Sequence, residues 1–304
     1  MLEVMTYHRP VLLSKSIEAL QIKPDGIYVD LTFGGGGHSM AILENLKTGK
    51  LVAFDQDQDA EENAKRISSP NFVFIKNNFR YIDKFLKLYG IKKVDGILAD
   101  LGVSSHQIDT PERGFSTRFD GDLDMRMDRS SGKTARHILN KSAEEDLHRI
   151  FGMYGEIRNA KTLAAAIVAA RENKEIKKIE DLKAILNELA PKNREYKYYA
   201  QVFQALRIRV NNELEALKEM LSRSIQVLKP GGRIVVISYH SLEDRLVKNF
   251  FNKGKFSGEV EKDIYGNEIK PLKTITRKPI IADMQEIAEN NRARSAKMRV
   301  AVKL

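Results

Sequence analysis

The first hundred residues alternate short apolar runs with amphipathic stretches. Ile27-Tyr-Val-Asp-Leu-Thr-Phe33 is rich in β-formers and breaks into Gly34-Gly-Gly-Gly-His38-Ser39, after which a helical pattern (Ala41, Ile42, Leu46) begins at once. Lys50-Leu-Val-Ala-Phe-Asp55 reads as a second buried strand, a helix follows over 60–67, and 71–79 reads as a third strand. A helix over 81–88 precedes a fourth strand that runs through Asp100 into Leu-Gly-Val103. Strands separated by helices of this length predict an α/β fold with a parallel sheet and right-handed crossovers.

Near Asp109 the alternation stops. From there to Leu206 the period is helical, over 143–153, 157–170, 179–189 and from 198 onward, preceded by a polar, strandless piece at 113–128. A loop of that length inside a compact domain is functional or disordered. The segment 109–206 therefore reads as a helical insertion between a first core part, 1–108, and a second, 207–304. The second part opens with an amphipathic helix over 213–228, which Lys229-Pro-Gly-Gly232 stops, and a fifth strand follows over 233–239. Ser241-Leu-Glu-Asp244 has the form of a capping box for a helix over 246–251. Strands over 272–276 and 297–304, around a helix at 284–290, close the pattern.

Charge adds a partner to this picture. Of the net +10, residues 1–110 carry −1, 111–244 carry +4 and 245–304 carry +7. The excess lies outside the glycine-bearing half and favours a polyanion, with nucleic acid the leading choice. The chain has no cysteine, which excludes disulfides, thiolate zinc sites and cysteine nucleophiles. The amino terminus lacks the apolar core of a signal peptide and the longest apolar run, 163–170, is too short to span a bilayer, so a cytoplasmic location is expected.

Ligands of open parallel sheets bind at the carboxyl ends of the strands. Four such ends are polar or small here: Asp30 with 34–38, Asp55, Asn78-Phe79, and Asp100 running into Gly102, Ser104 and Ser105. Four successive glycines let a ligand approach the backbone, and the following helix turns unpaired N–H groups toward it. Asp55 stands about twenty residues beyond the glycines, where a carboxylate accepts from ribose hydroxyls. Phe79 suits an adenine face with Asn78 at its edge, and Asp100 suits an ammonium or sulfonium. A nicotinamide dinucleotide fits only with Ser39 in the third fingerprint place, and an ATP P-loop fails because no Lys-Ser or Lys-Thr follows. S-adenosylmethionine is the remaining common choice.

Several longer motifs narrow this further. Tyr7-His-Arg-Pro-Val-Leu-Leu13, Asp30-Leu-Thr-Phe-Gly-Gly-Gly-Gly-His38-Ser39, Asp100-Leu-Gly-Val-Ser-Ser105, Arg113-Gly-Phe-Ser116, Asp124-Met-Arg-Met-Asp128, Tyr239-His-Ser-Leu-Glu-Asp-Arg245 and Arg292-Ala-Arg-Ser295 span the chain. Together they resemble the ribosomal RNA small subunit methyltransferase H family, also called MraW. The resemblance implies a class I, Rossmann-like S-adenosylmethionine methyltransferase sheet with an all-helical substrate-recognition insertion. It implies N4-methylation of a cytidine in the decoding region of 16S rRNA within the small ribosomal subunit. Carried over by motif, the cofactor contacts are Gly36, Gly37, His38, Asp55, Phe79, Asp100 and Gln107. The pattern departs from the family where Gly35 and His106 stand, positions that sometimes hold a charged residue and a proline.

An exocyclic cytosine amine is a poor nucleophile because its lone pair is delocalised into the ring, so in-line positioning and an acceptor for its protons are required. DNA amino-methyltransferases place an Asp/Asn/Ser-Pro-Pro-aromatic motif at the fourth strand end, where this chain reads Asp100-Leu-Gly-Val. Asp100, Ser104 and Ser105 are expected to line the methyl-transfer side, with Arg113 or Phe115 closing on an unstacked base. Arg207, Arg209, Arg292, Arg294, Lys297 and Arg299 are expected along the RNA backbone, with Arg113 beside them. No metal is expected. Asp120, Asp122 and Asp124 alternate as in a calcium loop, but Met125 occupies the place that requires glycine, and His38, His106 and His240 lack ligand spacing. Tyr196, Tyr198, Tyr199 and Phe203 read as helix core, and the oligomeric state stays open, a homodimer included.

Overall fold

A computed structural model describes residues 10–304, so Tyr7-His-Arg of the first motif lies outside the described residues. The chain divides into two compact units, one running up to Gly102 and resuming over 214–304, the other comprising 103–213.

The first unit is built on a seven-stranded sheet. Its strands are β1 (Ile27–Asp30), β2 (Lys50–Asp55), β3 (Phe72–Lys76), β4 (Val94–Asp100), β5 (Leu228–Ser238), β8 (Leu272–Thr274) and β9 (Lys297–Lys303), while β6 (Glu261–Lys262) and β7 (Glu268–Ile269) form a separate hairpin. The order is β3-β2-β1-β4-β5-β9-β8, parallel from β1 to β5 and antiparallel at β9. The order reverses between β1 and β4, which opens a crevice at their carboxyl ends.

Successive strand side chains point to opposite faces, and both faces here are covered. Val29, Val52, Phe54, Ile97, Ile234 and Val236 pack under α4 (Ile82–Leu88), α11 (Glu213–Val227) and α12 (Ser241–Lys253). Tyr28, Leu51, Leu98, Val235 and Ile237 face the opposite layer, with α1 (Leu13–Leu20), α2 (Gly37–Glu44) and α13 (Met284–Glu289). The short α3 (Gln58–Ala64) buries Ala60 and Ala64 beside Phe33. Between β1 and β4 the register Val29↔Ile97 brings Asp30 opposite Leu98 and sets Asp100 two residues farther out.

The second unit is all helical: α5 (Ser105–Asp109), α6 (Ala135–Lys141), α7 (Glu144–Gly155), α8 (Ala160–Asn173), α9 (Ile179–Leu189) and α10 (Glu195–Asn211). Leu147, Phe151, Leu163, Ile167, Leu182, Leu186, Val202 and Leu206 form its core at the i, i+3/i+4 spacing of amphipathic helices. Tyr198, Tyr199 and Phe203 join that core as the pattern predicts, but Tyr196 is 86% exposed, its ring in a T-shaped pair with that of Tyr199.

Three local expectations change. β5 begins at Leu228, because Lys229-Pro-Gly-Gly232 is accommodated as an irregularity in its pairing with β4 rather than as a separate stop. The cap of α12 is His240, whose ring accepts from Glu243 N while the Glu243 carboxylate accepts from the His240 amide, so Ser241 is the first helical residue and not the cap. The pattern predicts neither α1 nor α6, although it predicts α3 and α4, which are no longer than they are. Among the described residues no helix is long and apolar enough to cross a membrane.

Candidate functional site

Asp30 organises the glycine turn. Its Oδ2 accepts from Ser39 Oγ at 2.6 Å and its Oδ1 from Thr32 N at 3.1 Å, so the end of β1 is tied to the first turn of α2. Thr32 Oγ1 in turn accepts from Asp100 N at 2.7 Å, fixing the tip of β4 to the same turn. Gly36 takes φ +82°, and a Cβ there would lie 2.8 Å from the Phe33 ring; one on Gly37 would lie 2.2 Å from Pro10 Cγ. Both positions need glycine, for backbone conformation and for space respectively. The backbone can therefore approach a ligand where no side chain fits.

Asp55 closes the other side of the turn. Its Oδ2 accepts from Gly34 N at 2.8 Å and its Oδ1 from Asp57 N at 2.9 Å, which leaves each oxygen a further lone pair. Phe79 opens a single 3-10 turn after β3 and is half-buried. Asn78 caps that turn: its Oδ1 accepts from Arg80 N and its Nδ2 donates to Gln56 Oε1 at 2.8 Å. Asn78, expected at an adenine edge, thus also caps the turn that Phe79 opens.

At the tip of β4, Asp100 Oδ1 accepts from the Tyr239 hydroxyl at 2.7 Å, and Oδ2 lies 3.8 Å from His38 Nδ1. His38 is 5% exposed, and burial pushes its imidazole down to about 4, so the ring is neutral at pH 7. Burial also pushes Asp30 up to about 6, Asp55 up to about 6 and Asp100 up to about 7. Hydrogen bonds oppose the shift in each case, while the Asp30 and Glu243 carboxylates reinforce it at Asp100. None of the three has a lysine or arginine partner among the described residues. The edge thus carries one buried acid, Asp30, and two half-buried ones, Asp55 and Asp100.

Six of the seven expected cofactor residues thus lie in the sheet unit, on the turn and at three successive strand tips. Gln107 lies in the helical unit with Ser104 and Ser105. There Ser104 Oγ accepts from Gln107 N at 3.2 Å and Gln107 Oε1 accepts from Ser104 N at 3.0 Å, a capping box that starts α5. Ser105 is the first residue of that helix.

The basic residues divide. Arg113 is 2% exposed and donates to the carbonyls of Arg126 and Met127 at 3.1 and 3.2 Å, bracing the 113–128 loop from inside. Arg207 makes a two-point pair with Glu213 at 2.8 and 2.9 Å, and Arg299 makes one with Asp244 at 2.6 and 3.2 Å. These three were expected to meet RNA, but a buried or doubly bonded guanidinium is held by its own protein. Arg209 and Arg294 are exposed; Lys297 is about half exposed and 3.8 Å from Asp244. Arg292 and Arg294 share the turn Asn291–Ser295 that leads into β9. Asp124 pairs with Arg126 at 2.7 Å and Asp120 accepts from Glu180 N, so the alternating acids serve the loop.

Tyr239 and Glu243 are the site residues that the sequence reading passed over. Tyr239 follows the fifth strand directly, and the strand-end rule that singled out the other four tips applies to it equally.

A model of the MraW methylase family matches residues 5–304. A ribosomal RNA small subunit methyltransferase H from Cytophaga hutchinsonii is 63% identical over 295 residues, covering 97% of this chain and 99% of that protein. Proteins of the same name from Amoebophilus asiaticus and Flavobacterium johnsoniae are each 55% identical; they cover 97% and 100% of this chain, and 95% and 100% of their own lengths.

Proposed function

The chain belongs to the MraW methylase family, and from that premise we propose that it methylates the exocyclic N4 of a cytidine in the decoding region of 16S rRNA, within the small ribosomal subunit. Its cofactor is S-adenosylmethionine. When bound, that cofactor supplies an electrophilic methyl on a sulfonium centre that departs as a neutral thioether.

The observation that carries the reading is the run of buried and half-buried carboxylates at the strand tips, raised by desolvation and lacking a basic partner among the described residues. Their chemistry fits a ligand with two ribose hydroxyls at one end and positive charge at the other. Asp55 would accept from the hydroxyls with the lone pairs that Gly34 and Asp57 leave open. Phe79 offers a ring for the adenine, Gly36 and Gly37 leave space along the backbone, and Asp100 offers Oδ2 to the cationic methionine end. Neutral His38 adds no competing charge. Asp30 has both oxygens engaged and serves as a scaffold for the turn.

For the acceptor base, the reading assigns Ser105 to the methyl-transfer side, with Ser104 and Gln107 holding the start of α5. The RNA backbone is assigned to Arg209, Arg292, Arg294 and Lys297, a set that predicts salt-sensitive binding. No membrane partner is proposed, and the location that suits a ribosomal substrate is the cytoplasm.

Mass spectrometry of 16S rRNA from a strain lacking this protein tests the proposal. One N4-methyl mark on a decoding-region cytidine should disappear and return on complementation. Assembled small subunits, naked rRNA and DNA, each offered with labelled cofactor, separate the substrate classes. An rRNA methylation pattern identical in both strains would sink the assignment.

A further inference from the structure

We propose that Tyr239 is a positioning residue for Asp100: its hydroxyl engages one carboxylate oxygen and favours the ionised acid, so that the other oxygen is presented to the cationic end of the cofactor. The inference rests on the cofactor reading above and adds a residue to it.

The geometry begins with the main chain. Asp100 stands opposite Ile237 in the β4–β5 ladder, and Leu101 N donates to Ile237 O at 2.9 Å, so Tyr239 emerges just beyond the tip of β4. Tyr239 N donates to Glu243 Oε2 at 2.9 Å, and Glu243, 3% exposed, sits in the first turn of α12. Its other oxygen lies 3.1 Å from His240 Nε2. A buried carboxylate therefore pins the backbone from which the phenol projects. The ring lies over Gly102, where φ is +102° and a Cβ would come within 3.4 Å of it. From this seat the hydroxyl reaches Asp100 Oδ1 at 2.7 Å.

The chemistry follows from what surrounds the pair. Asp100 is faced by the Asp30 carboxylate from β1, the Glu243 carboxylate from α12, the neutral His38 ring from α2 and the Tyr239 phenol. Both carboxylates favour its protonated form, and a protonated acid gives a cation nothing to neutralise. Among these groups the phenol alone donates to Asp100 within hydrogen-bonding distance, and such a bond stabilises the ionised form. Burial and the adjoining carboxylates raise the phenol well above its usual range, so it remains a donor throughout the working pH range. Phenylalanine would keep the ring packing and lose only the bond.

The test compares the wild-type chain with Tyr239→Phe, with circular dichroism confirming that both fold. Two readouts are taken: Asp100 titration in the cofactor-free protein by carboxyl-carbon magnetic resonance, assigned with Asp100→Asn, and S-adenosylmethionine affinity by calorimetry from pH 6 to 9. Losing a hydrogen bond to a charged acceptor raises the acid's proton affinity about tenfold. For an acid that titrates near 7, this weakens cofactor binding about fivefold at pH 7 and leaves near parity at pH 9. An upward shift of the Asp100 midpoint, with the affinity loss recovered at high pH, is the expected result. Equal titrations and affinities in the two proteins, or a loss of the same size at every pH, would overturn the proposal in favour of plain packing. If the wild type binds no cofactor at all, the cofactor reading fails separately. The Asp100 midpoint in the two proteins still decides the role of Tyr239.

Discussion

The Gly34 amide donates a 2.8 Å hydrogen bond to Asp55 Oδ2, so the first residue of the glycine turn is held by the tip of the neighbouring strand. One carboxylate thereby shapes the turn and faces the space beside it. Asp55→Ala should weaken S-adenosylmethionine binding by about tenfold to a hundredfold, the cost of losing hydrogen bonds to a charged acceptor. Asp55→Asn should recover part of that loss. Calorimetric titration measures both, and unchanged affinity in the alanine variant would remove Asp55 from the site.

The turn itself makes a second prediction. Gly37→Ala forces a methyl to within 2.2 Å of Pro10, and Gly36→Ala adds a strained positive φ to a 2.8 Å approach to Phe33. Each should cost about 1–3 kcal/mol of stability and displace the backbone that faces the cofactor. Denaturant titration alongside cofactor affinity checks this. A variant with wild-type values for both would mean that the turn yields easily.

Asp30, Asp55 and Asp100 set the pH response of the cofactor-free protein. A carboxyl whose folded value is raised keeps its proton longer in the native chain than in the unfolded one. With folded values of about 6, about 6 and about 7 against about 4 unfolded, the native chain binds more protons across that window, and stability falls as pH rises through it. His38, pushed down to about 4, acts in the opposite sense up to its ordinary value, but one imidazole opposes three carboxyls. Asp181, held down to about 2 by Lys174, acts below the window. The thermal midpoint should therefore drop between pH 5 and 7.5, and Asp100→Asn should flatten the upper part of that slope. A midpoint that climbs over the same interval contradicts the account.

Arg299 distinguishes a structural cation from an RNA contact. Its side chain is 10% exposed and that of its partner Asp244 is 14% exposed. Removing one member of such a pair leaves a buried charge, so Arg299→Ala should lose about 3 kcal/mol in denaturant unfolding. The salt dependence of RNA binding by the folded fraction should stay as in the wild type.

Arg209, Arg294 and Lys297 should behave in the opposite way. Replacing any one with glutamine should leave the unfolding midpoint within error and lower the slope of log affinity against log salt by about 1. Filter binding of small subunits over a salt series reads this directly. A slope that ignores all three substitutions would place the RNA elsewhere.

The sequence by itself determined most of the sheet unit. Apolar runs of strand length between helix-length stretches admit few arrangements, and the places of Gly36, Gly37, Asp55, Phe79 and Asp100 along one edge of the sheet could be read because each follows a strand, where topology converts sequence position into spatial position. The period of α7 to α10 was equally legible, since a helix several turns long repeats its pattern. Although α3 and α4 are no longer than these two, α1 and α6 were not legible. Nor was the bulged start of β5, because proline and glycine mark a break without saying whether the strand resumes across it.

Only the tertiary structure decided which charges face inward and with whom. Arg113, Arg207 and Arg299 look no different from Arg209 and Arg294 in one dimension. An arginine's role depends on whether a carbonyl or carboxylate from a distant part of its unit arrives beside it, as Asp244 does for Arg299. The same holds for Tyr239 and Asp100, which lie 139 positions apart in the chain and 2.7 Å apart in the fold. Hydrophobic periodicity is a local property of the chain. Hydrogen bonds and desolvation are set by neighbours that only folding brings together.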